Sequence, residues 1–97
     1  MEIEILEIAK QEYDSAAEFY EVRQHGLGAR FKSEIKQSLL RIKQFPQISP
    51  VDEHEIRKLS LLRFPYKIVY SLQNNVILVV AFAHMHRSPF YWVDRLD

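Results

Sequence analysis

The sequence contains no cysteine, which excludes disulfides and thiolate metal sites and is compatible with a reducing compartment. It has only two glycines, Gly26 and Gly28, too few and too close together for a glycine-rich phosphate loop. Long apolar runs are missing as well. The longest, Val76 to Ala83, falls far short of the roughly 20 residues that a membrane-spanning helix requires. The opening Met1-Glu2-Ile3-Glu4 is acidic and shows no signal-peptide pattern, so the expected location is cytoplasmic, with no membrane partner. Neither sign of charge dominates, with 13 Lys and Arg against 13 Asp and Glu, so the whole-chain electrostatic footprint of a nucleic-acid binder is absent.

What is present describes a small folded domain. The 97 residues form one unit, 1–97, and 47% of them are hydrophobic, which is enough to build a core and excludes a disordered tail. The charge is unevenly spread. Residues 1–25 hold seven acids against Lys10 and Arg23, while residues 26–97 hold eleven Lys or Arg against six acids. Such asymmetry can give a local basic surface on a neutral protein, or simply two helices with solvated charged faces.

Periodicity supplies the elements. Glu2-Ile3-Glu4-Ile5 alternates as a short strand does. From about Ala9 the period becomes helical: Ala9, Tyr13, Ala16, Ala17 and Tyr20 share one side, while Glu12, Glu18 and Glu21 point elsewhere. Gly26 is suited to end this helix in a left-handed cap. Phe31, Ile35, Leu39 and Ile42 mark a second helix, stopped by Pro46, and the short connection predicts an antiparallel hairpin. A loop follows over 44–55. Three strands come next: Ile56 to Leu62, the alternating Tyr66 to Leu72, and Val76 to Ala83, with a Gln73-Asn74-Asn75 turn before the last. The final strand is apolar at every position, as a central strand covered on both faces should be. After Pro89 the tail has room for one or two helical turns. The predicted class is α+β: β-α-α-β-β-β, with an antiparallel meander covered on one face by a helical hairpin and partly open on the other, and a short C-terminal helical segment.

Certain residues in this order resemble the RelE/ParE toxin superfamily. They are Ala16-Ala17-Glu18-Phe19-Tyr20-Glu21, Gly26-Leu27-Gly28 with Phe31, and Arg63-Phe64-Pro65-Tyr66-Lys67-Ile68-Val69-Tyr70. To these add His84-Met85-His86-Arg87-Ser88-Pro89-Phe90-Tyr91-Trp92 with Arg95, which is similar to the His-x-x-Arg-x-Pro-x-Tyr-Trp ending of ParE-like plasmid stabilisation proteins. The resemblance spans nearly the whole chain. It implies a microbial-RNase-like fold and the toxin component of a type II toxin–antitoxin system, neutralised by a cognate antitoxin, as a homodimer or as a hetero-oligomer with the antitoxin. It leaves two targets: the ribosome with its messenger RNA, cut by a metal-independent, cofactor-free endoribonuclease, or DNA gyrase, inhibited without chemistry. Toxicity through translation is the first expectation; a gyrase inhibitor, or a degenerate toxin that only binds its antitoxin, is the alternative.

RNA cleavage by 2′-OH attack needs a base, an acid for the leaving oxygen and cations for the crowded phosphate. The resemblance carries Lys58, Lys67, Arg87 and Tyr91 into that set, and His84 adds a group suited to proton transfer near neutral pH. Ser60 stands where a nuclease relative has a second strand lysine, and Lys67 replaces an arginine whose fork grips phosphate more firmly. Arg57 and Arg63 are neighbouring cations for RNA or partner binding, with Trp92 and Arg95 in the tail. Trp92 can stack on a base or pack against the core, and His84 can be held by a backbone partner instead of serving as an acid or base. The three histidines His54, His84 and His86 lack a properly spaced ligand set, so no metal is expected. The antitoxin is expected to be acidic overall, with a segment that folds across an exposed strand edge and the groove near Arg57, Lys58 and Lys67.

Overall fold

A computed structural model describes residues 1–96. Its elements are β1 (Glu2–Ile5), α1 (Glu7–Arg23), α2 (Leu27–Gln44), β2 (Arg57–Ser60), β3 (Tyr66–Gln73), β4 (Val76–His84) and a terminal 3-10 turn, η1 (Val93–Leu96). The predicted class and element order hold. The sheet runs β1-β4-β3-β2, so the meander of β2, β3 and β4 is antiparallel, but β1 lies parallel to β4 and makes the sheet mixed. This placement explains why β4 is apolar throughout: it has a strand on each side and a covered surface above and below.

Local chemistry accounts for the hairpin. Gly26 adopts φ +87°, the left-handed region that sequence reasoning assigned to it. It sits one step later than expected, as the N-cap of α2, while α1 ends at Arg23 with Gln24 as its C-cap. Glu21, off the apolar stripe as expected, folds over the start of α2. Its carboxylate accepts the Gly26 N–H at 2.9 Å and the Gly28 N–H at 3.0 Å, satisfying donors that a helix start leaves without partners. Gly28 is required for a different reason: a Cβ there would lie 2.6 Å from the Ala17 carbonyl oxygen, so only glycine lets the two helices meet this closely.

Two other boundaries shift. The helix starts at Glu7, before Ala9, because Leu6 donates its N–H to the Val79 carbonyl of β4 and accepts from Lys10, joining strand pairing to the first helical turn. The strand expected over 56–62 is shorter, since the Leu62 and Arg63 N–H groups turn to the Glu34 carboxylate of α2. Asn74 and Asn75 take φ 50° and 64°, the positive values that a two-residue hairpin turn needs.

Two apolar layers sandwich the sheet. On the helical side Phe31, Ile35 and Ile42 of α2 and Ala9 and Ala16 of α1 pack against Ile68, Tyr70, Ile77, Val79 and Phe82. On the other side, expected to be partly open, Ile56 and Trp92 cover Val69, Val80, Ala81 and Ala83. The chain's last residues therefore roof part of that face. A register irregularity at Val69/Tyr70 lets β4 carry one extra residue, Val80, between the partners of Tyr70 and Val69. The extra residue switches the alternation, so Ile77 and Val79 face the helices before the bulge and Phe82 does so after it. By the same alternation His84 joins Phe82 on the helical side.

Candidate functional site

Four of the residues singled out in the sequence meet at one place. His84, Arg87, Tyr91 and Arg95 line a cleft of roughly 670 Å³ between the end of β4, the tail and the side of α1 that presents Ile8, Gln11, Glu12, Ser15 and Phe19. The α1 spacing of three and four residues is a single helical stripe, so one face of this helix forms one wall. Tyr66 and Phe82 form the floor.

Glu12 organises the cleft. Its Oε1 accepts Arg95 Nη1 at 2.9 Å and the Phe82 backbone N–H at 3.1 Å. Its Oε2 accepts the Tyr91 hydroxyl at 2.6 Å and Arg95 Nη2 at 3.1 Å. Arg95 also donates to the Val80 carbonyl, so its guanidinium bridges α1 and β4. The Glu12 and Arg95 side chains are only 16% and 14% exposed, which puts this pair in the regime of buried, mutually dependent charges. Sequence reasoning did not find Glu12 and had it facing away from the apolar stripe. The available signal was its position three residues after Ala9 and four before Ala16, both buried: a carboxylate on a buried stripe requires partners.

The partners have chemical consequences. Burial and then the Glu12 carboxylate raise the Tyr91 phenol well above its ordinary pKa, so its proton is held between the two oxygens. Arg87 lies 3.9 Å above the Tyr91 ring and makes no ion pair among the described residues, leaving its charge available in the cleft. His84 accepts the His86 N–H at its Nδ1, 3.0 Å away, and meets Tyr66 edge-on at 5.0 Å between ring centres. With Nδ1 accepting, Nε2 is the nitrogen that carries the proton of the neutral ring. His86 is exposed.

The other residues lie elsewhere. Lys58 pairs in register with Val69, and Lys67 with Ser60 and Ala83, so both belong to the sheet face turned away from the helices. The Lys58 ammonium lies 3.6 Å from Asp52 Oδ2 and over the Phe90 and Trp92 rings, at 4.9 Å and 5.4 Å. Asp52 also accepts the His54 and Ile56 N–H groups, so Lys58 belongs to a compact knot that fixes the loop before β2. Arg57 donates to the Ser49 carbonyl and Tyr70 to that of Pro46, two further pegs on the same loop. Trp92 is 1% exposed and presents no free ring face. Arg63 lines a separate cleft with Arg30 and Arg41.

The family model described as "ParE toxin of type II toxin-antitoxin system, parDE" matches residues 3–89. The chain belongs to the ParE toxin family. Among solved structures, this ParE-family chain is similar to one titled "Chromosomal ParDE TA system from P. aeruginosa". The TM-score is 0.65 at 15% identity, over 89% of this chain and 97% of that one, a likeness that shows the fold. No curated protein matches by sequence. The family match ends at Pro89, so Tyr91 and Arg95, which line one end of the cleft, and the buried Trp92 lie beyond the matched span. Among the described residues no helix is long and apolar enough to cross a membrane.

Proposed function

We propose that this protein is the growth-inhibiting toxin of a type II pair, silenced by a cognate antitoxin, and that it acts by occupying a macromolecular target rather than by cutting RNA. The observation that carries this reading is the division of the candidate catalytic groups. Lys58 and Lys67 lie on the sheet face turned away from the helices, His84, Arg87 and Tyr91 line the cleft beside α1, to which neither lysine contributes, and the Tyr91 hydroxyl already donates to Glu12. Acid–base cleavage needs its base, its acid and its phosphate-binding cations within reach of one phosphodiester. A contact surface has no such requirement. Of the two targets that the family resemblance allows, DNA gyrase is therefore favoured over the ribosome, with Arg87, Phe19 and Ile8 as contact residues; the last two are 49% and 46% exposed.

The antitoxin is the second partner. Among the described residues β2 pairs only with β3, which leaves its outer edge open to an added strand, with Lys58 on that strand and Lys67 on the neighbouring β3, both on the face away from the helices. A complex in which β2 stays uncovered would refute this docking mode.

The test is controlled expression without the antitoxin. Intact protein synthesis with DNA breaks and an SOS response is the expected result. A rapid halt of translation with messages cut inside ribosomes would overturn the proposal in favour of the nuclease. Two variants sharpen the comparison. Arg87→Ala should weaken toxicity, whereas Tyr91→Phe, provided it folds, should remain toxic because no proton is transferred; loss of toxicity in a folded Tyr91→Phe protein would argue for chemistry.

A further inference from the structure

The neutral net charge conceals a cationic second helix: α2 carries Arg30, Lys32, Lys36, Arg41 and Lys43 against the single acid Glu34. Four of these cations divide between two sides. Lys32 reaches over the Tyr13 ring of α1 at 6.0 Å, and Lys36 lines a groove beside the same tyrosine. Arg30 and Arg41 lie on the opposite flank, where the loop between β2 and β3 brings Arg63 to join them. The three arginines line a cleft of roughly 370 Å³ together with Ser33, Gln37 and Ser60. It shares no lining residue with the cleft around Glu12, so the inference stands apart from the proposal above.

Three features make this cleft a binding site rather than a solvated helix face. Arg63 is held there by a specific contact, because the Glu34 carboxylate accepts the Leu62 and Arg63 backbone N–H groups. Those bonds occupy the one acid in the cleft. None of the three guanidiniums makes an ion pair among the described residues, so three positive charges face the single Glu34 carboxylate and the cleft keeps a net positive charge. Apart from the exposed Leu62, the remaining lining consists of hydroxyl and amide groups. An anion is the ligand that such a set stabilises.

We propose that this cleft binds the sugar–phosphate backbone of a nucleic acid. Arg30 and Arg41 are three helical turns apart, about 16 Å at 1.5 Å per residue, and a strand advances about 3.4 Å per phosphate. A backbone stretch of about five phosphates therefore spans the distance from Arg30 to Arg41, with Arg63 on the wall facing the helix. An acidic protein segment fits less well, because stable protein interfaces need an apolar or aromatic anchor in a pocket. The large apolar side chain here, Leu62, is 87% exposed and forms no pocket. The lining includes no aromatic ring on which a base could stack, so binding is to the backbone and independent of sequence.

The experiment measures binding of the purified chain to a short labelled DNA duplex and to single-stranded RNA as salt is varied. Three neutralised phosphates give the duplex a log–log salt slope of about −2.7, or a roughly 40-fold loss of affinity between about 50 and 200 mM salt. Arg30→Gln, Arg41→Gln and Arg63→Gln should each flatten the slope by about one unit. Lys10→Gln, a charge removed from α1, should leave it unchanged. An arginine-dependent slope with either probe supports the proposal and identifies DNA or RNA as the source of the phosphates. Should the triple variant misfold, the three single variants carry the same test. Three results overturn the proposal: no binding of either probe at the lowest salt, slopes unchanged in folded variants, or displacement of the probe by a polyglutamate peptide as effective as by unlabelled duplex.

Discussion

Glu12 is the residue on which the C-terminal cleft depends, and replacing it by alanine measures how much. The substitution removes the acceptor for four hydrogen bonds, leaving the Arg95 charge, the Tyr91 hydroxyl and the Phe82 N–H without their partner. The side chains of the pair are 16% and 14% exposed, so solvent compensates little. Breaking a buried pair from one side costs about 3–5 kcal/mol, against a total stability of about 5–15 kcal/mol for a domain of this kind. At about 4–8 °C per kcal/mol the melting temperature should fall by more than about 12 °C. Urea unfolding followed by tryptophan fluorescence is the direct assay, because Trp92 is the single tryptophan, is buried, and lies one residue from Tyr91. The emission of native Glu12→Ala should shift to the red as the tail loosens. A cycle with Arg95→Ala should show coupling of about 1–3 kcal/mol, since removing both charges leaves neither one stranded. If Glu12→Ala unfolds within about 1 kcal/mol of the parent, with unshifted Trp92 emission, then the tail is held by the apolar layer alone and Glu12 does not organise the cleft.

Other consequences are equally open to measurement. Gly28→Ala drives a methyl group into the Ala17 carbonyl, 2.6 Å from the new Cβ, and should cost about 1–3 kcal/mol in chemical denaturation; a neutral result would mean that the helices separate freely. Tyr70→Phe removes the bond to the Pro46 carbonyl at 2.9 Å and should cost about 1 kcal/mol, with faster amide exchange in the loop at 45–56 as the more specific sign. Glu21 is held below its ordinary pKa of 4.5, first by the Gly26 N–H. A carboxylate with a lowered folded pKa stabilises above its unfolded pKa and loses that contribution as pH falls through the folded value. The stability difference between parent and Glu21→Gln should therefore be full at neutral pH and shrink below about pH 4.5; a difference independent of pH would mean that the carboxylate charge is not what caps the turn.

Much of this molecule was legible in its sequence, and the parts that were not share a physical cause. The two helices, the hairpin turn at Asn74-Asn75, the left-handed Gly26 and the apolar central strand follow from periodicity and backbone preference. Those are local properties, written within a few neighbouring residues. The convergence of His84, Arg87, Tyr91 and Arg95 was partly legible too, because all four lie within twelve residues of one another in the tail.

Tertiary packing alone decided the rest. Glu12 meets Phe82 and Arg95 across 70 and 83 residues, and no local pattern encodes that meeting. It exists because β1 lies parallel to β4 and carries α1 across the end of the sheet where the tail folds back. The same packing separated cations that looked alike in the sequence. Lys58 and Lys67 went to the sheet face away from the helices, Arg87 and Arg95 to the cleft beside α1, and Arg63 to a cleft with two arginines of α2. Sequence determined which segments are helix or strand, since that depends on neighbours along the chain. Structure decided which charges share a surface, since Coulomb and hydrogen-bond partners are set by distance in space.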